Sequence, residues 1–534
     1  MSRERLTPAD AMFLHLEDDH THMHVASVTI FDGSVDYQEA LDEIRRRLHL
    51  VPRFRQKLAF VPLGLERPVW VDDPHFNLEY HIRHTALPAP GSEEQLKRLA
   101  GRVMSQQLDR TKPLWEIWLV DKLAGDRFAM IAKTHHCLVD GVSGADITAV
   151  LLDLTPEPPD LRAEPWVPEP EPTPAQLVTD AVRERTTQPM EMIRGIRAAT
   201  RAPRRVLKGA TDFLEGIGAL AWAGLNPAPR SPINVSIGPH RRVEFVRASL
   251  DDFKAIKNAL GGTVNDVVLA VVSGSLRRFL QHRGVDVRGL ELKAMVPMST
   301  RTDEERGALG NRVTAMAAPL PIYEEDPVVR LSIVREAMKD VKSSKQAVGA
   351  EMITQLSGFA PPTILGQVGR LQAQQRFFNV LVTNVPGPQF PLYSRGHKLL
   401  DLFPMAPLSA NQALNFAVMS YNGQFGFGLI ADYDALPDLG VIAEGLEKSI
   451  GELMQAAEEA SPPEPVAAIA SDPEPEPEPE PGPEPEPEPA PDPQTPEPSN
   501  GNGSKQTGQV QIGQPSPRRG EIPTTRPQPP PPGA

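Results

Sequence analysis

The spacing of apolar and polar positions along this chain predicts an alternation of strands and helices. Short, mostly apolar runs predict strands at residues 22–31, 127–134 and 292–298. Apolar residues at helical spacing predict an amphipathic helix over residues 37–48. Strands and helices that alternate in this way are typical of an α/β fold.

A second α/β region is predicted from about residue 240. Two apolar runs, 415–421 and 424–430, flank Asn422-Gly423, a pair that favours a two-residue hairpin turn. Thr263, with Asp266 three positions later, predicts a helix N-cap ahead of an apolar helix.

The residues best suited to chemistry follow the strand predicted over 127–134. They form the run His135-His136-Cys137-Leu138-Val139-Asp140-Gly141, and Ser143 with Asp146 then predicts a helix start. Neutral imidazole is abundant near neutral pH and can take a proton from a hydroxyl group. A nearby Asp can orient the imidazole, and a glycine lets a substrate approach the backbone closely. The pattern therefore predicts a general base at a strand-to-helix junction.

Structural interpretations of the same run remain open. A histidine in an apolar stretch is commonly a hydrogen-bonded core residue. Adjacent residues on a strand point to opposite faces, so at most one of His135 and His136 faces a given cavity. The same geometry disfavours a metal site built from His135, His136 and Asp140. Cys137, the one cysteine of the chain, is expected to be a buried, inert thiol rather than a nucleophile.

Two other polar groups also admit two interpretations. His20, His22 and His24 would share one side of an extended chain, either as metal ligands or as ordinary solvated or structural histidines. Asp266 falls in the first turn of a predicted helix, where an acidic side chain complements the helix dipole.

Composition narrows the class of protein. A chain of 534 residues has room for two or three domains. A single cysteine excludes a disulfide scaffold and suits a reducing cytoplasm. The first residues contain no apolar signal core, and no run of eighteen or more apolar residues predicts a bilayer-spanning helix.

The acidic charge of the chain is concentrated near its end. Of a net charge of -14, residues 461–534 carry 12 acidic and 4 basic residues, a balance of -8, which leaves -6 for the rest. These residues also hold 24 of the 58 prolines, so they are expected to form an extended, disordered arm. Residues 154–175 are likewise rich in Pro and Glu and predict a linker.

A basic segment follows that linker. Residues 192–211 contain six basic residues and no acidic one, and an apolar stretch over 213–222 comes next. The combination suits the surface of an anionic membrane, or else an ordinary solvated helix between two domains. Binding to nucleic acid is disfavoured because no aromatic residues are interleaved with the charges.

Taken in order, the motifs of the chain resemble those of the bacterial wax ester synthase/diacylglycerol acyltransferases. The resemblance covers roughly residues 1–455, and the ordered combination is more specific than the His-His motif alone. The matching blocks are Leu6-Thr-Pro-Ala-Asp10, Met23-His-Val25, Pro52-Arg-Phe-Arg55, Leu108 to Glu116 with its Pro-Leu-Trp, His135 to Gly141, Asn265-Asp266, Val296 to Arg301, Leu309-Gly-Asn-Arg312 and Thr383 to Pro388.

The resemblance implies two chloramphenicol-acetyltransferase-like α/β domains with the active site in a channel between them. The domain bounds expected on this basis are 1–153 for the first domain and 239–458 for the second. A helical linker over 154–238 joins them, and a disordered Pro/Glu-rich tail over 459–534 follows.

The resemblance also implies a reaction, the transfer of a fatty acyl group from acyl-CoA to diacylglycerol or a long-chain alcohol. No metal, cofactor or covalent acyl-enzyme is expected. By the motif match His136 is the general base, His135 its less essential neighbour, and Asp140, beside Gly141, an ion-pair or turn residue. Asn265 and Asp266 match a motif near the site, and Asn265 is a candidate to hold substrate or the oxyanion.

Two other function classes stay in consideration. One is a condensation-type acyltransferase that takes its acyl group from a carrier protein, and the other is an inactive homologue that only binds lipid. The expected location is the cytoplasm, with peripheral attachment to the inner membrane face or to lipid droplets as a further hypothesis.

Overall fold

The structure is a computed structural model that describes residues 4–139, 151–157, 159, 161–184, 227–299, 313–343 and 377–460. Its helices are α1 (Pro8–Leu16), α2 (Tyr37–Arg47), α3 (Leu78–His81), α4 (Glu93–Met104), α5 (His136–Val139), α6 (Leu250–Leu260), α7 (Val264–His282), α8 (Pro327–Ser343) and α9 (Leu439–Ala460). Residues 174–184 are also helical. Short 3-10 turns lie at Leu48–Leu50, Pro52–Arg55 and Pro62–Gly64.

The strands are β1 (His24–Asp32), β2 (Gln56–Ala59), β3 (Val69–Asp72), β4 (Ile82–Ala86), β5 (Trp115–Leu123), β6 (Arg127–His135) and β7 (Arg241–Ser249). They continue with β8 (Glu291–Ser299), β9 (Val313–Pro321), β10 (Val380–Pro386), β11 (Tyr393–Ser394), β12 (His397–Met405), β13 (Leu414–Tyr421) and β14 (Gln424–Asp432). The predicted strand at 127–134 is thus confirmed as β6, and the helix predicted over 37–48 is confirmed as α2.

The first sheet has the strand order β11-β12-β1-β6-β5-β4. Its two central strands, β1 and β6, pair antiparallel, and this register sets His24 directly opposite His135. Strand β5 continues the antiparallel pairing on the other side of β6, and β4 adds a parallel edge. His135, the last residue of β6, therefore lies at the end of a central strand and not on an edge strand.

The second sheet has the order β7-β14-β13-β10-β8-β9, with β10 parallel to both of its neighbours. The predicted hairpin is confirmed, since β13 and β14 pair antiparallel around Asn422 and Gly423. Both turn residues have positive φ, 44° and 81°, as a type I′ turn requires. The apolar helix α7, whose predicted N-cap at Thr263 is confirmed, packs with α9 and α8 in the core of this half.

Two strands cross from the C-terminal half of the chain into the first sheet. Strands β11 and β12 come from the C-terminal half but pair with β1 in the first sheet. The predicted bounds of 1–153 and 239–458, each continuous in sequence, therefore do not describe sheet membership. Helix α4 also joins the halves, because Lys97 pairs with Glu244 at 2.6 Å and Glu93 pairs with Arg247 at 2.8 Å.

Part of the predicted linker lies against the first half, and residues 161–184 are called the strap below. Glu171 of the strap pairs with Lys57 at 3.2 Å, and the backbone N–H of Glu169 donates to Asp72 at 3.0 Å. Leu177 is buried in an apolar cluster with residues of β2 and β3. The basic segment 192–211 and the Pro/Glu tail from 461 lie outside the described residues.

Within the described ranges, no single helix is long and apolar enough to cross a membrane. The consecutive helices α6 and α7 reach that length and composition only when taken together, and they meet at a bend of 99°.

Candidate active site

The two histidines lie where the sequence predicts, at the junction of a strand and a helix. His135 is the last residue of β6, and its N–H donates to the Leu114 carbonyl at 2.9 Å. His136 is the first residue of α5, and its N–H donates to the Met23 carbonyl at 2.8 Å. Asp140 lies outside the described residues, as do Gly141 and the cap predicted at 143–146.

His135 is enclosed, and both of its ring nitrogens face polar partners. The side chain has no exposed surface. Its Nδ1 accepts the backbone N–H of Cys137 at 3.1 Å, so in the neutral ring Nε2 carries the proton. That Nε2 lies 3.4 Å from Oε2 of Glu17. Burial lowers the pKa of His135, which favours this neutral tautomer.

Glu17 is the centre of a buried polar cluster that the sequence analysis did not single out. Its carboxylate is 3% exposed and lies 3.1 Å from Nε2 of His24 and 2.6 Å from Nη2 of Arg110. Burial alone raises the pKa of Glu17, but the close approach of His135 and His24 outweighs it and holds the pKa well below its usual range. Glu17 is therefore held as an anion beside Arg110 and two histidines.

The partner histidine of this cluster is also held neutral. His24 is fully buried, and this burial lowers its pKa to about 3. Arg110 supplies the permanent positive charge, with Nε and Nη2 both directed at the same carboxylate oxygen of Glu17. Two sequence features could have indicated this pairing. One is a carboxylate directly after an apolar helix, and the other is an arginine inside the Leu108–Glu116 block.

His136 has a different environment. Its ring stacks on Phe13 of α1, with centroids 3.9 Å apart and planes 22° from parallel. Unlike His135, it is partly exposed. This difference agrees with the expectation that adjacent residues face opposite ways, and it leaves His136 as the histidine that a substrate can approach.

A second buried network supports the strand that carries the histidines. Lys133 of β6 is fully buried and donates to the carbonyls of Val103 and Gln106, each at 2.9 Å. Its Nζ also pairs with Glu116 at 2.6 Å, and Glu116 pairs with Arg83 at 3.2 Å. The segment after α4 is thereby fixed to β5 and β6.

The Pro-Leu-Trp block packs against the Pro-Arg-Phe-Arg block. The indole N–H of Trp115 donates to the Phe54 carbonyl at 2.8 Å, and its ring stacks on His81 with centroids 4.5 Å apart. Two blocks that are far apart in sequence therefore build one wall beside His135.

The structure places Asn265 and Asp266 in the first turn of α7. Asp266 closes a capping box, since its Oδ2 accepts the N–H of Thr263 at 2.8 Å. Its other oxygen, Oδ1, is buried without a hydrogen-bond partner beside a cavity of about 520 Å³ that Arg335 also lines. No hydrogen bond, ion pair or ring contact of the described residues joins Asn265 or Asp266 to the two histidines, so their role toward substrate stays a prediction.

The other candidates have structural positions. Cys137 is fully buried, as expected. His22 and His24 are buried, with ring centroids 5.8 Å apart, whereas His20 is exposed. In the part of the chain that the structure describes, no group of three His, Cys, Asp or Glu side chains is arranged to hold a metal ion.

Two family models match the chain. The wax ester synthase/diacylglycerol acyltransferase catalytic domain matches residues 6–268, and the C-terminal domain of the same family matches residues 309–454. A Mycobacterium tuberculosis protein named "probable diacylglycerol O-acyltransferase" is 33% identical over 456 residues, which are 84% of this chain and 95% of that protein. A second protein of that name from the same species is 32% identical over 463 residues, which are 84% of this chain and 99% of that protein.

Solved structures give a consistent result. The wax ester synthase/diacylglycerol acyltransferase of Marinobacter aquaeolei is 29% identical, with a TM-score of 0.59 over 85% of this chain and all of that one. A condensation domain of the calcium-dependent antibiotic synthetase shares the fold alone, at 17% identity and a TM-score of 0.53 over 86% of this chain and 97% of that one. The family expected from the motifs is thus confirmed, as is the two-domain α/β fold of acyltransferases of this type. The chain belongs to the wax ester synthase/diacylglycerol acyltransferase family.

Proposed function

We propose that this protein transfers a long-chain fatty acyl group from acyl-CoA to the free hydroxyl of diacylglycerol, which makes triacylglycerol. Long-chain alcohols are a second acceptor class in this proposal, with wax esters as products. Family membership and the names of the mycobacterial relatives support the reaction class. The observation that carries the assignment of the base is the contrast between His135, enclosed with both nitrogens facing partners, and His136, which is partly exposed.

His136 acts as the general base in this proposal. Its neutral imidazole takes the proton of the acceptor hydroxyl while the hydroxyl oxygen attacks the thioester carbonyl carbon. The tetrahedral intermediate then collapses, the carbon–sulfur bond breaks, and the CoA thiolate leaves. The protonated imidazole returns its proton to that thiolate, so the products are the ester and free CoA. No cofactor besides the co-substrate acyl-CoA takes part.

The other predicted site residues have supporting roles. His135 holds the strand end in place, and its link to Glu17 fixes the orientation of the junction from which His136 projects. Asp140, beside Gly141, keeps the role of an ion-pair or turn residue in this proposal, and both lie outside the described residues. Asn265 assists the substrate or the oxyanion, and losing one such donor costs an acyl-transfer enzyme about 10²–10³-fold. Asp266 caps the helix that presents Asn265.

Both substrates have long apolar tails, so an enzyme attached to a lipid surface would reach them more easily. We place the enzyme in the cytoplasm, attached peripherally to the inner membrane face or to lipid droplets. The basic segment 192–211 is the proposed contact, because six positive charges attract anionic headgroups. Charge reversal at Arg204 and Arg205 should weaken binding to anionic vesicles, and more so at low salt.

The test is an assay of purified protein with labelled palmitoyl-CoA and either diacylglycerol or hexadecanol, with His136→Ala as the control. Labelled triacylglycerol from the wild type alone supports the proposal, and the yield of wax ester measures the second acceptor class. Product from palmitoyl-carrier protein but not from palmitoyl-CoA would indicate a condensation-type enzyme instead. Binding to vesicles without any product, in a folded protein, would indicate a lipid-binding homologue.

A further inference from the structure

A cavity of about 380 Å³ opens under the strap, and neither His135 nor His136 lines it. The end of α2, the turns at Leu48–Leu50 and Pro52–Arg55, the start of α3 and the strap form its walls. Glu17, His135 and His136 do not line it. The cavity is therefore separate from the proposed acyl-transfer site.

An arginine without a polar partner points into this cavity. Arg55 is only 9% exposed, and its guanidinium lies 4.7 Å from the ring centroid of Trp166. Within the described part of the chain its side chain makes no hydrogen bond or ion pair, and its Nε is buried without a partner. A guanidinium stays charged even when buried, and buried charges are almost always paired. The charges of Asp72 and Glu164 favour the charged guanidinium without forming an ion pair with it, so its donors stay available to a ligand.

A second polar group of the cavity, on His49, also lacks a hydrogen-bond partner among the described residues. Nδ1 of His49, on the wall beside Arg55, is buried without a hydrogen-bond partner. The acidic lining residues are Glu79 and Glu164, which are both exposed, so water screens their charge. Arg45, which is also exposed, adds a positive charge to the rim, so the charged lining residue that is buried is Arg55.

The remaining wall is aromatic. The rings of Phe76 and Trp166 are 6.2 Å apart and nearly perpendicular, at 84°. Phe76 is fixed from behind because it stacks on His81, with centroids 5.2 Å apart. A flat group that enters beside these rings gains stacking energy without the need to order either side chain first.

We propose that this cavity binds a small phosphate ester that carries a flat ring, that is, a ligand of the nucleotide class. The guanidinium of Arg55 pairs with two phosphate oxygens, the geometry in which arginine binds phosphate most strongly. Phe76 and Trp166 contact the ring of the base. The carboxylates at the rim, Glu79 and Glu164, accept hydrogen bonds from the sugar hydroxyls or the exocyclic amine.

The experiment is calorimetric titration of the full chain with adenosine 5′-monophosphate, inorganic phosphate and adenosine. The variants are Arg55→Gln, Trp166→Ala and Trp166→Phe, with Arg102→Gln as the matched control because Arg102 is an exposed arginine on α4. We expect the nucleotide to bind more tightly than phosphate or adenosine. Arg55→Gln should weaken nucleotide binding at least about tenfold, which is the loss of one charge-assisted pair.

The aromatic variants keep the proposal testable if Arg55→Gln fails to fold, because Trp166 lies on the strap and not in the core. Trp166→Ala should weaken nucleotide binding several-fold, whereas Trp166→Phe should retain most of it. Arg102→Gln and His136→Ala should bind as the wild type does. The proposal is overturned if the nucleotide does not bind at millimolar concentration, if the Arg55 and Trp166 variants bind normally, or if His136→Ala abolishes binding.

Discussion

The two sheets of this protein bury polar groups for different purposes. In the first sheet the buried charged groups pair with one another and with histidines, as Glu17 does with His24 and Arg110, and Lys133 with Glu116. In the second sheet several buried polar side chains bond to the backbone instead. There, Asn415 accepts the N–H of Leu381, and Asp432 accepts the N–H of Gly238.

This difference indicates where the chemistry lies. A side chain that bonds only to backbone groups remote from the site holds the fold together. A charged network that ends on an imidazole fixes its tautomer and its direction as well. We therefore expect variants of the first network to change catalysis, and variants of the second set to change stability alone.

The largest expected effect separates the two neighbouring histidines. His136→Gln should lower kcat by about 10²–10⁴-fold, because the proton acceptor is lost. His135→Gln should lower kcat less, since His135 contacts Glu17 and the backbone rather than the substrate. Initial rates of triacylglycerol formation measure both, and circular dichroism verifies folding. The reverse ranking of the two variants would show that His135 is the base.

A smaller effect on catalysis is expected from Glu17→Gln. The amide cannot pair as an anion with Arg110, and its NH2 group can oppose the Nε2–H of His135. We expect kcat to fall about 10–10²-fold with KM nearly unchanged, since a positioning residue acts through the base and not on substrate binding. Glu17→Asp should restore part of the rate because it keeps the charge.

The matched control for this variant is Glu43→Gln. Glu43 is also a buried carboxylate, paired with Arg47 at 2.5 Å, but it contacts none of the histidines of the site. Glu43→Gln should lower the free energy of unfolding and leave kcat as it is. An equal loss of kcat in both variants would mean that Glu17 acts only through stability.

In the second sheet we expect a variant of a buried polar residue to lower stability and leave kcat unchanged. Asn379 is fully buried, donates to the Pro229 carbonyl at 2.8 Å, and accepts the N–H of Lys293 at 2.8 Å. Asn379→Ala removes both hydrogen bonds at a buried position, so the free energy of unfolding should fall by about 3 kcal/mol. Urea denaturation measures this, and kcat under native conditions should stay within about twofold of wild type. A loss of kcat in Asn379→Ala without a loss of stability would contradict the proposal that buried polar groups of the second sheet affect stability alone.

The sequence predicted local elements and the reactive pair well, because both depend on short-range patterns. The alternation of Asn415 to Ile430 around Asn422-Gly423 gave the hairpin, and an apolar run ending in two histidines gave the junction. The crossover of β12 was not predicted, since pairing of residue 26 with residue 405 depends on contacts that no local pattern encodes.

The same limit applies to the partners of the histidines. Glu17 follows α1, Arg110 precedes β5 and His135 ends β6, so only the tertiary fold brings the three together. A sequence motif names the residue that reacts but not the residues that orient it. The strap is a similar case, because its Pro and Glu content predicted a linker whereas its contacts are those of a packed segment.

The smallest expected effect concerns the pH dependence of stability in the first sheet. The folded-state pKa of His24 is lowered to about 3 by burial, against an ordinary value of 6.5. Between these two values the unfolded chain binds a proton that the folded chain does not, so acidification favours unfolding by about 1.4 kcal/mol per pH unit. Burial lowers the pKa of His81 to about 4, which acts in the same direction.

From pH 7 to pH 5 the protonation of His24 in the unfolded chain should therefore lower the free energy of unfolding by about 2 kcal/mol. His24→Gln removes this contribution, so its loss of stability over that range should be smaller than that of the wild type by about the same amount. His20→Gln, at an exposed position four residues away, should show the wild-type pH dependence. Urea titrations at both pH values measure the difference. If His24→Gln and wild type lose stability in parallel, His24 is charged in the folded state, and the picture of a neutral His24 beside an ionised Glu17 is wrong.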